Sequence, residues 1–498
     1  MNVNPITRLD YPDPDVIRVE DTYYMVSTTM HFMPGCEILQ SFDLVHWEHV
    51  TYVYETLDHT DAQQLKSGQN IYGQGMWAAS LRYHEGRFYI CFVANDTRKT
   101  YLYTSEKIDG PWKKQLIEGF YHDGSLLFDE DGRNYIVYGN DEIWITELNE
   151  DLTAPKKDGL HRLLVSDHKN PELGYEGSHI QKINGYYYIF LIHSLRDRWM
   201  RTEACFYSDS LEGEFTGGDV LCDDRGYCGQ GVAQGGIVDT PDGKWYAMLF
   251  QDSGAVGRIP ILLPVTWKDH FPFFGQNGHV PEEIEVHSTR PGYIYQPLVG
   301  SDDFCNGLLP RWQFNHDPDP RYYHLDALQG TYTITTREVC TELTQAVNTL
   351  TQRMSYPSCA AEVTVDAAAL KEGDVAGLCA LQSCYAAVGI TKHHGKYEVL
   401  MLDKKEDGIL DMTEGTVVES HQMDFRLEAD FCNMKDEARC YYRVNKGDWL
   451  PIGTVHKLYF KLDHFTGCRF GLFCYAAEET GGSACFRDFK YYDVDEIS

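Results

Sequence analysis

Five positions in the first half of the chain share one register, and their side chains suit acid–base chemistry or stacking on a sugar ring. Each leads a short apolar run that turns at a polar pair and returns through an aromatic strand. In four of the five units, a tyrosine follows the leading residue by twelve positions. Paired apolar runs around such turns are typical of β-hairpins. The leading residues are Asp13, Trp77, Asp123, Glu176 and Gln234.

Three of these leading residues are acids, and carboxylates that share a cavity repel one another and shift each other's pKa. Hydrolysis of a glycosidic bond needs one carboxylic acid to protonate the leaving oxygen and one carboxylate to activate water or attack the sugar. Phosphoryl transfer also gathers acids, but it needs a metal cluster and basic phosphate contacts, which the repeats lack. The pattern therefore favours glycoside hydrolysis over isolated acids that cap turns.

The repeat also predicts the architecture that positions these residues. The five units begin 46 to 64 residues apart. Periods near this size, filled with short strands, are the signature of a β-propeller, whose blades bury their faces against neighbours and close into a ring. Equivalent positions then lie at equivalent places around the axis, so we expect the five leading residues to face one central cavity.

Composition excludes several classes of function. The chain has 498 residues, with 75 acidic against 43 basic side chains and a net charge of −32. Such a surface is unsuited to nucleic acid or to an anionic membrane. The first residues show neither a signal peptide nor an apolar run of spanning length, which predicts a cytoplasmic protein. The 15 cysteines without a C-x-x-C pair favour a reducing compartment.

A second domain follows the repeats. We predict a propeller over residues 1–300 and a β-sandwich over 301–498, where regularly spaced alternating runs replace the repeat. No catalytic constellation is evident in this second part. The predicted strands include Thr331–Ile334, Ala361–Val365, Tyr397–Met401, Leu458–Leu462 and Arg469–Phe473.

In its motifs and their order, the chain resembles glycoside hydrolase family 43. The matching pieces cover most of residues 1–290, and a later passage is similar to the start of the sandwich of the family's xylosidases and arabinofuranosidases. The resemblance implies an all-β chain with a five-bladed propeller followed by a concanavalin A-like jelly roll. The pieces are Pro12–Asp15, Phe32–Gly35, Met76–Ala78, Asp123–Leu126, Tyr175–His179, Val256–Arg258 and, in the later passage, Trp312–Pro320.

The resemblance also implies a role for each acid. Asp13 would be the general base that activates water, and Glu176 would be the general acid. Asp123 would orient Glu176 and modulate its pKa. An inverting mechanism predicts that the carboxyl groups of Asp13 and Glu176 lie roughly 6.5–9.5 Å apart, which leaves room for a water.

Substrate contacts follow from the same resemblance. Trp77 and Phe32 would wall the sugar pocket, Arg258 would bind sugar hydroxyls or orient a carboxylate, and Gln234 would contact substrate. The alternatives are that the two aromatic residues are blade core and that Arg258 is the ion-pair partner of a blade acid. Asp15 lies two residues after Asp13 and is better explained as a structural hydrogen-bonding residue than as the base.

Metal binding is predicted to be unnecessary. The family usually has His-Gly-Asp where this chain has Gln234-Gly235-Gly236, so we expect no axial metal and no required cofactor. Calcium is the one ion left open, because its oxygen ligands could come from Gln234 or from the sandwich. The candidate sandwich ligands are Asp302, Asp303 and Asp488.

These observations predict an exo-acting inverting hydrolase that releases terminal α-L-arabinofuranose or β-D-xylose from plant cell-wall oligosaccharides. An endo-arabinanase-like or sucrose-type hydrolase and a non-catalytic carbohydrate-binding propeller are the alternatives. Oligosaccharide is the expected partner, nucleic acid and membrane are not, and a homo-oligomer is compatible with the strand-rich second domain.

Overall fold

The repeats fold into five antiparallel sheets of four strands each, arranged as the blades of a propeller. This computed structural model describes residues 2–413 and 415–493. The predicted five-bladed propeller is confirmed. The blades are Asp15–Val19, Thr22–Val26, Gly35–Ser41 and Glu48–Tyr54; Met76–His84, Arg87–Ala94, Lys99–Ser105 and Lys113–Ile117; Ser125–Phe128, Asn134–Asn140, Glu142–Leu148 and His161–Ser166; Glu176–Ile183, Tyr186–Ser194, Arg201–Ser208 and Thr216–Leu221; Val232–Asp239, Trp245–Asp252, Arg258–Lys268 and Phe271–Phe274.

Contacts near the axis hold the ring together. Arg82 of the second blade donates to the Leu126 carbonyl and the Ser125 hydroxyl of the third blade, and also to the Ile180 carbonyl of the fourth. An ion pair between Arg18 and Asp239 joins the first blade to the fifth. At the edge of the ring, a short N-terminal strand, Asn2–Val3, pairs with Glu283–Ile284.

The leading residue of each unit sits where the inner strand departs from regular pairing. Strand register shifts after Trp77, after Glu176 and beside Gln234. Asp13, Asp123 and Gln234 have left-handed backbone, with φ of 53°, 47° and 61°. Bulges and positive φ re-aim a side chain and are frequent beside active sites. The irregular backbone therefore turns these side chains toward the axis.

The second domain is a sandwich of two antiparallel sheets around its own apolar core. The predicted boundary at residues 300 and 301 lies in the segment between the two sets of strands. The larger sheet contains Gln313–Asn315, Leu350–Arg353, Val375–Leu381, Ala386–His393, Lys396–Lys404, Leu410–Met412, Thr416–Val418 and Arg469–Tyr475. The smaller contains Tyr323–Asp326, Thr331–Thr335, Ser358–Asp366, Gln422–Asp430, Glu437–Val444, Leu450–Lys457 and Ser483–Asp493. The described residues also form four 3₁₀ turns, Lys66–Gly68, Gly254–Val256, Leu343–Gln345 and Cys432–Met434.

The two domains share a sheet. The propeller strand Phe32–Met33 pairs with Gln313–Asn315 and so extends the larger sheet of the sandwich. Close by, Arg353 donates to Glu37 over 2.9 Å, and both side chains are buried. Removing one partner of a buried ion pair destabilises a protein by several kcal/mol. Because Arg353 belongs to the sandwich and Glu37 to the propeller, their contact holds the domains in one orientation.

One predicted strand is wrong. The segment Leu458–Leu462 lies outside the sheets. The preceding strand ends at Lys457, and the next one begins at Arg469. The segment instead leads toward the propeller, where Phe460 and Phe465 face Arg258. Leu458 is buried in the apolar core of the sandwich, whereas Leu462 is 75% exposed, so the alternation does not mark a strand with one buried face. Within the described residues, no helix is long and apolar enough to cross a membrane.

Candidate active site

Three carboxylates lie together at one end of the propeller axis. Asp13 and Asp123 are buried, and Glu176 is partly exposed. A small cavity of about 10 Å³ beneath them is lined by Asp13, Asp123, Gly177 and Gln234, among others. The residues that lead four of the five repeat units thus meet at one place, as the shared register predicts.

Asp13 has both oxygens held by donors from other parts of the propeller. The Thr28 hydroxyl donates to Oδ2 over 2.6 Å, and Arg258 Nη1 donates to Oδ1 over 3.2 Å. The Thr28 oxygen in turn accepts from the Ala78 amide over 2.9 Å. These contacts fix the orientation of the carboxylate and leave lone pairs that can face a water in the cavity.

His122, next to Asp123, is a site residue that the sequence did not single out. Its Nε2 lies 3.3 Å from Glu176 Oε2 and 3.6 Å from Asp123 Oδ2. The charge of Asp123 raises the pKa of His122 against the effect of burial, and Glu176 adds to the rise, to about 9. The imidazole therefore carries both ring protons at neutral pH, and its Nε2 acts as a donor.

Asp123 has an unusual acidity for an aspartate. Burial raises its pKa, the charge of His122 lowers it, and the charges of Glu176 and Asp13 raise it further, to about 6. Its Oδ2 also accepts from the backbone amide of Gly177 over 3.1 Å. Asp123 is therefore bound to the residue that directly follows Glu176, which restrains the backbone that carries the Glu176 side chain.

Glu176 receives its hydrogen bonds on one oxygen. Asn140 Nδ2 donates to Oε2 over 2.6 Å, and His122 Nε2 approaches the same atom. Asn140 ends the second strand of the third blade, and Glu176 begins the first strand of the fourth. Donors from the third blade thus orient a carboxyl group that the fourth blade carries.

In the described part of the chain, one group of side chains could hold a metal ion. It consists of His122, Asp123 and Glu176, whose ligand atoms lie within 4.8 Å of one another. A cation here would have to replace the Nε2 proton of His122 and share Oε2 with the Asn140 amide donor. The donor set therefore suits a hydrogen-bonded cluster better than a metal centre. In the sandwich, the Asp302 oxygens accept from Phe304 and Trp312, and calcium there stays a prediction.

Asp15 lies deeper along the axis and is held as a structural residue. It accepts from Leu81 N over 2.7 Å, from Arg82 Nη1 over 2.8 Å, and contacts His179 Nδ1 at 3.1 Å. Burial alone would raise the pKa of Asp15, but Arg82 and His179 outweigh that effect and hold it below the usual value. Gln234 is also buried and packs on Gly177, where a Cβ atom would lie 2.7 Å from the Gln234 side chain.

The two predicted aromatic walls have different positions. Trp77 is half-buried, and its ring lies 6.1 Å from His122 and 5.4 Å from Phe465 of the sandwich. Phe32 is 2% exposed, and its ring centroid lies 3.4 Å from the guanidinium carbon of Arg469. Trp77 therefore adjoins the carboxylate cluster, whereas the contacts of Phe32 are at the domain interface. Sugar contact by either residue stays a prediction.

Four residues of the site escaped sequence reasoning. His122 directly precedes the leading residue Asp123, so a titratable side chain at that position could have been recognised as a candidate site residue. Thr28 and Asn140 carry no such signal, since Thr28 lies just beyond the end of the strand Thr22–Val26 and Asn140 meets Glu176 only where two blades adjoin. Phe465 comes from the other domain, and its ring lies 4.3 Å from the guanidinium carbon of Arg258.

A five-bladed propeller whose axis ends in three converging carboxylates defines a carbohydrate-active hydrolase. Residues 3–272 match the model for glycosyl hydrolases family 43, and residues 301–492 match the beta xylosidase C-terminal concanavalin A-like domain. The chain belongs to glycoside hydrolase family 43 and is a glycosidase, which confirms the class and the jelly-roll domain predicted from its sequence.

Known proteins resemble the whole chain. A solved bifunctional GH43-CE protein of Bacteroides eggerthii is 42% identical with a TM-score of 0.92, covering 99% of this chain and 63% of that one. This chain thus spans less than two thirds of that protein. A β-xylosidase of Formosa agariphila is 26% identical over 99% of this chain and 89% of its own. A non-reducing end α-L-arabinofuranosidase of Bacteroides ovatus is 24% identical over 82% of this chain and 79% of its own.

Proposed function

We propose that this glycosidase is exo-acting and inverting, and that it releases terminal α-L-arabinofuranose or β-D-xylose from plant cell-wall oligosaccharides. The observation that carries the proposal is that two carboxyl groups of the site are held by different partners. Asp13 is bound by Arg258 and Thr28. Glu176, on another blade, is bound by Asn140 and His122. Two carboxyl groups in unlike surroundings suit the two roles of an inverting enzyme.

In the proposed reaction, Glu176 gives its proton to the glycosidic oxygen as the bond from that oxygen to the anomeric carbon breaks. Asp13 takes a proton from a water whose oxygen bonds to the anomeric carbon from the opposite face. The products are a free pentose and the shortened oligosaccharide. Asp13 then loses its proton to solvent and Glu176 regains one. Asp123, bound to the Gly177 amide, would keep Glu176 in place through this cycle.

The exo specificity is supported by the wall that the sandwich adds. Phe465 lies against Trp77 and Arg258, beside the carboxylates. A ring at this place closes one side of the site, which favours a pocket for a chain end over an open groove. The pentose is supported by relatives named β-xylosidase and α-L-arabinofuranosidase.

The proposal is tested with p-nitrophenyl α-L-arabinofuranoside and p-nitrophenyl β-D-xyloside. Wild type should hydrolyse at least one, and the ratio of rates names the sugar. Asp13→Ala and Glu176→Ala should each lose 10²–10⁴-fold in kcat on xylobiose or an arabino-oligosaccharide. Activity that stays within a few fold in both variants would exclude the proposed roles.

Two further measurements examine the stereochemistry and the cofactor. NMR of the first product formed should show the inverted anomer. Because carboxyl groups of the chain make both proton transfers, the reaction needs no cofactor, and activity should survive dialysis against a chelator. Release of mixed oligosaccharides from linear arabinan, rather than monosaccharide, would favour the endo alternative.

A further inference from the structure

The hydrogen bonds to Glu176 are unevenly divided between its two oxygens. Oε2 accepts from Asn140 Nδ2 over 2.6 Å and is 3.3 Å from His122 Nε2. Across residues 2–413 and 415–493, no donor reaches Oε1. Both donors lie at the open end of the third blade's inner hairpin, because His122 precedes its first strand and Asn140 ends its second. There the Gly139 amide donates to the His122 carbonyl over 3.0 Å.

This division has a consequence for the acid proton. A proton on Oε2 would point at the N–H groups of Asn140 and His122, so hydrogen would face hydrogen. A proton on Oε1 avoids that repulsion and leaves Oε2 free to accept both bonds. The protonated form of Glu176 therefore carries its proton on the oxygen that has no protein partner, which is free to meet the substrate.

We propose that Asn140 and His122 are positioning residues that select Oε1 of Glu176 as the oxygen that holds and delivers the acid proton. This inference rests on the proposed function, in which Glu176 is the general acid. In the step, the proton leaves Oε1 and bonds to the glycosidic oxygen. The bond from that oxygen to the anomeric carbon breaks at the same time. The electron pair left by the proton is shared by the carboxylate.

The two donors also act on the barrier of this step. Hydrogen bonds to an ionised carboxylate are roughly twice as strong as those to a neutral acid. The bonds from Asn140 and His122 therefore strengthen as the proton leaves, which stabilises the transition state more than the ground state. The benefit should be large when the leaving oxygen is a poor leaving group and small when it needs no protonation.

The test compares two substrates with the same glycone. One is a disaccharide, whose departing alcohol is poor, and the other is the 2,4-dinitrophenyl glycoside, whose departing phenolate is stable without a proton. Asn140→Ala should lose about 10- to 100-fold in kcat on the disaccharide, the worth of a hydrogen bond to a charged group. On the dinitrophenyl glycoside it should lose less than about threefold.

A second variant at the same position sharpens the test. Asn140→Asp keeps the size of the side chain but places an acceptor against Oε2, which draws the proton onto the wrong oxygen. On the disaccharide it should therefore lose more than Asn140→Ala does. At His122, His122→Gln keeps an N–H donor near Oε2 and should retain more disaccharide activity than His122→Met. Asn134→Ala, at the other end of the strand that Asn140 ends, is the matched control and should match wild type.

Equal losses of Asn140→Ala on both substrates, or no loss on either, would overturn the inference. Glu176→Ala distinguishes this failure from failure of the proposed function. If Glu176→Ala shows the dependence on leaving group and Asn140→Ala does not, only the assignment of the proton to Oε1 fails. If Glu176→Ala lacks that dependence, Glu176 is not the acid and both proposals fail.

Discussion

Arg258 of the propeller and Phe465 of the sandwich are in direct contact, with the guanidinium carbon 4.3 Å from the ring centroid. The same arginine donates from Nη1 to Asp13 and from Nη2 to the Phe465 carbonyl over 3.4 Å. The second domain therefore contacts the residue that holds the proposed base. The sandwich is a part of the site and not only an appended module.

Replacing Phe465 should weaken catalysis without unfolding the protein. Phe465→Ala removes the ring that packs on Arg258 and Trp77 and admits water beside Asp13. A desolvated cation–π contact contributes up to about 2 kcal/mol, so kcat/KM on a pentoside should fall about 10- to 30-fold. Phe273→Ala is the control, because Phe273 is 50% exposed on an outer propeller strand. An unchanged kcat/KM in Phe465→Ala would show that the contact with Arg258 does not matter for turnover.

Gly257 is a position where only glycine should support activity. Its φ is 109°, and a Cβ atom would lie 2.4 Å from Asp10 Oδ1. That oxygen accepts from the backbone amide of Arg258 over 2.8 Å. Gly257→Ala should therefore displace Arg258 and lower both the melting temperature and kcat.

The control for this prediction separates backbone strain from collision. Gly243 also has positive φ, at 80°, but open space surrounds its Cβ direction. Gly243→Ala should lose only about 1 kcal/mol of unfolding free energy and keep wild-type kcat. Equal effects of Gly257→Ala and Gly243→Ala on kcat would contradict the proposed displacement of Arg258.

Asp15 should contribute to stability through its buried contacts. Asp15→Ala leaves Arg82 and His179 without their carboxylate, and breaking a buried ion pair by removing one partner loses about 3–5 kcal/mol. Urea denaturation followed by tryptophan fluorescence measures the change. The comparison is Asp21→Ala, whose exposed ion pair with Arg290 should contribute at most about 1 kcal/mol. A loss of similar size in both variants would refute this account of Asp15.

Three histidines at the domain interface should make stability depend on pH. His31, His316 and His464 are buried beside Tyr72. Burial lowers the pKa of His464 to about 3 and the other two well below their usual value. The unfolded chain binds protons at these histidines near pH 6.5, whereas the folded chain does not. Stability from this source is therefore complete above pH 6.5 and falls as the pH drops, by up to about 1.4 kcal/mol per pH unit for each histidine.

The measurement is the urea unfolding free energy between pH 7.5 and 5. His464→Phe preserves an aromatic ring against Tyr72, which is stacked on His464 at 3.9 Å. The variant should reduce the slope of the unfolding free energy against pH by up to the contribution of one proton, about 1.4 kcal/mol per pH unit. His279→Asn, at a side chain that is 75% exposed, should leave the steepness unchanged. A slope that is the same in His464→Phe as in wild type would show that the folded protein protonates His464 as readily as the unfolded chain does.

Much of the propeller could be predicted because each blade repeats one local pattern. The leading positions of Asp13, Asp123 and Glu176 could be aligned by register alone, and a ring brings aligned positions together. The strand predicted at Leu458–Leu462 is wrong because its alternating apolar residues lie in separate surroundings, with Leu458 in the sandwich core, Phe460 near Arg258 of the propeller and Leu462 exposed. His122 was overlooked although it adjoins Asp123, and Asn140 was overlooked because its strand end meets Glu176 only across two blades.

The sequence by itself determined the five repeat units, the three acids at their leading positions and the strand-rich second domain. These follow from local periodicity and turn chemistry, which each segment carries with it. Only the tertiary structure decided that Arg258 and Thr28 bind Asp13, that two donors meet on one oxygen of Glu176, and that Phe465 packs beside them. These contacts join residues from different blades or domains, and their distances depend on how the ring closes and how the sandwich packs on it.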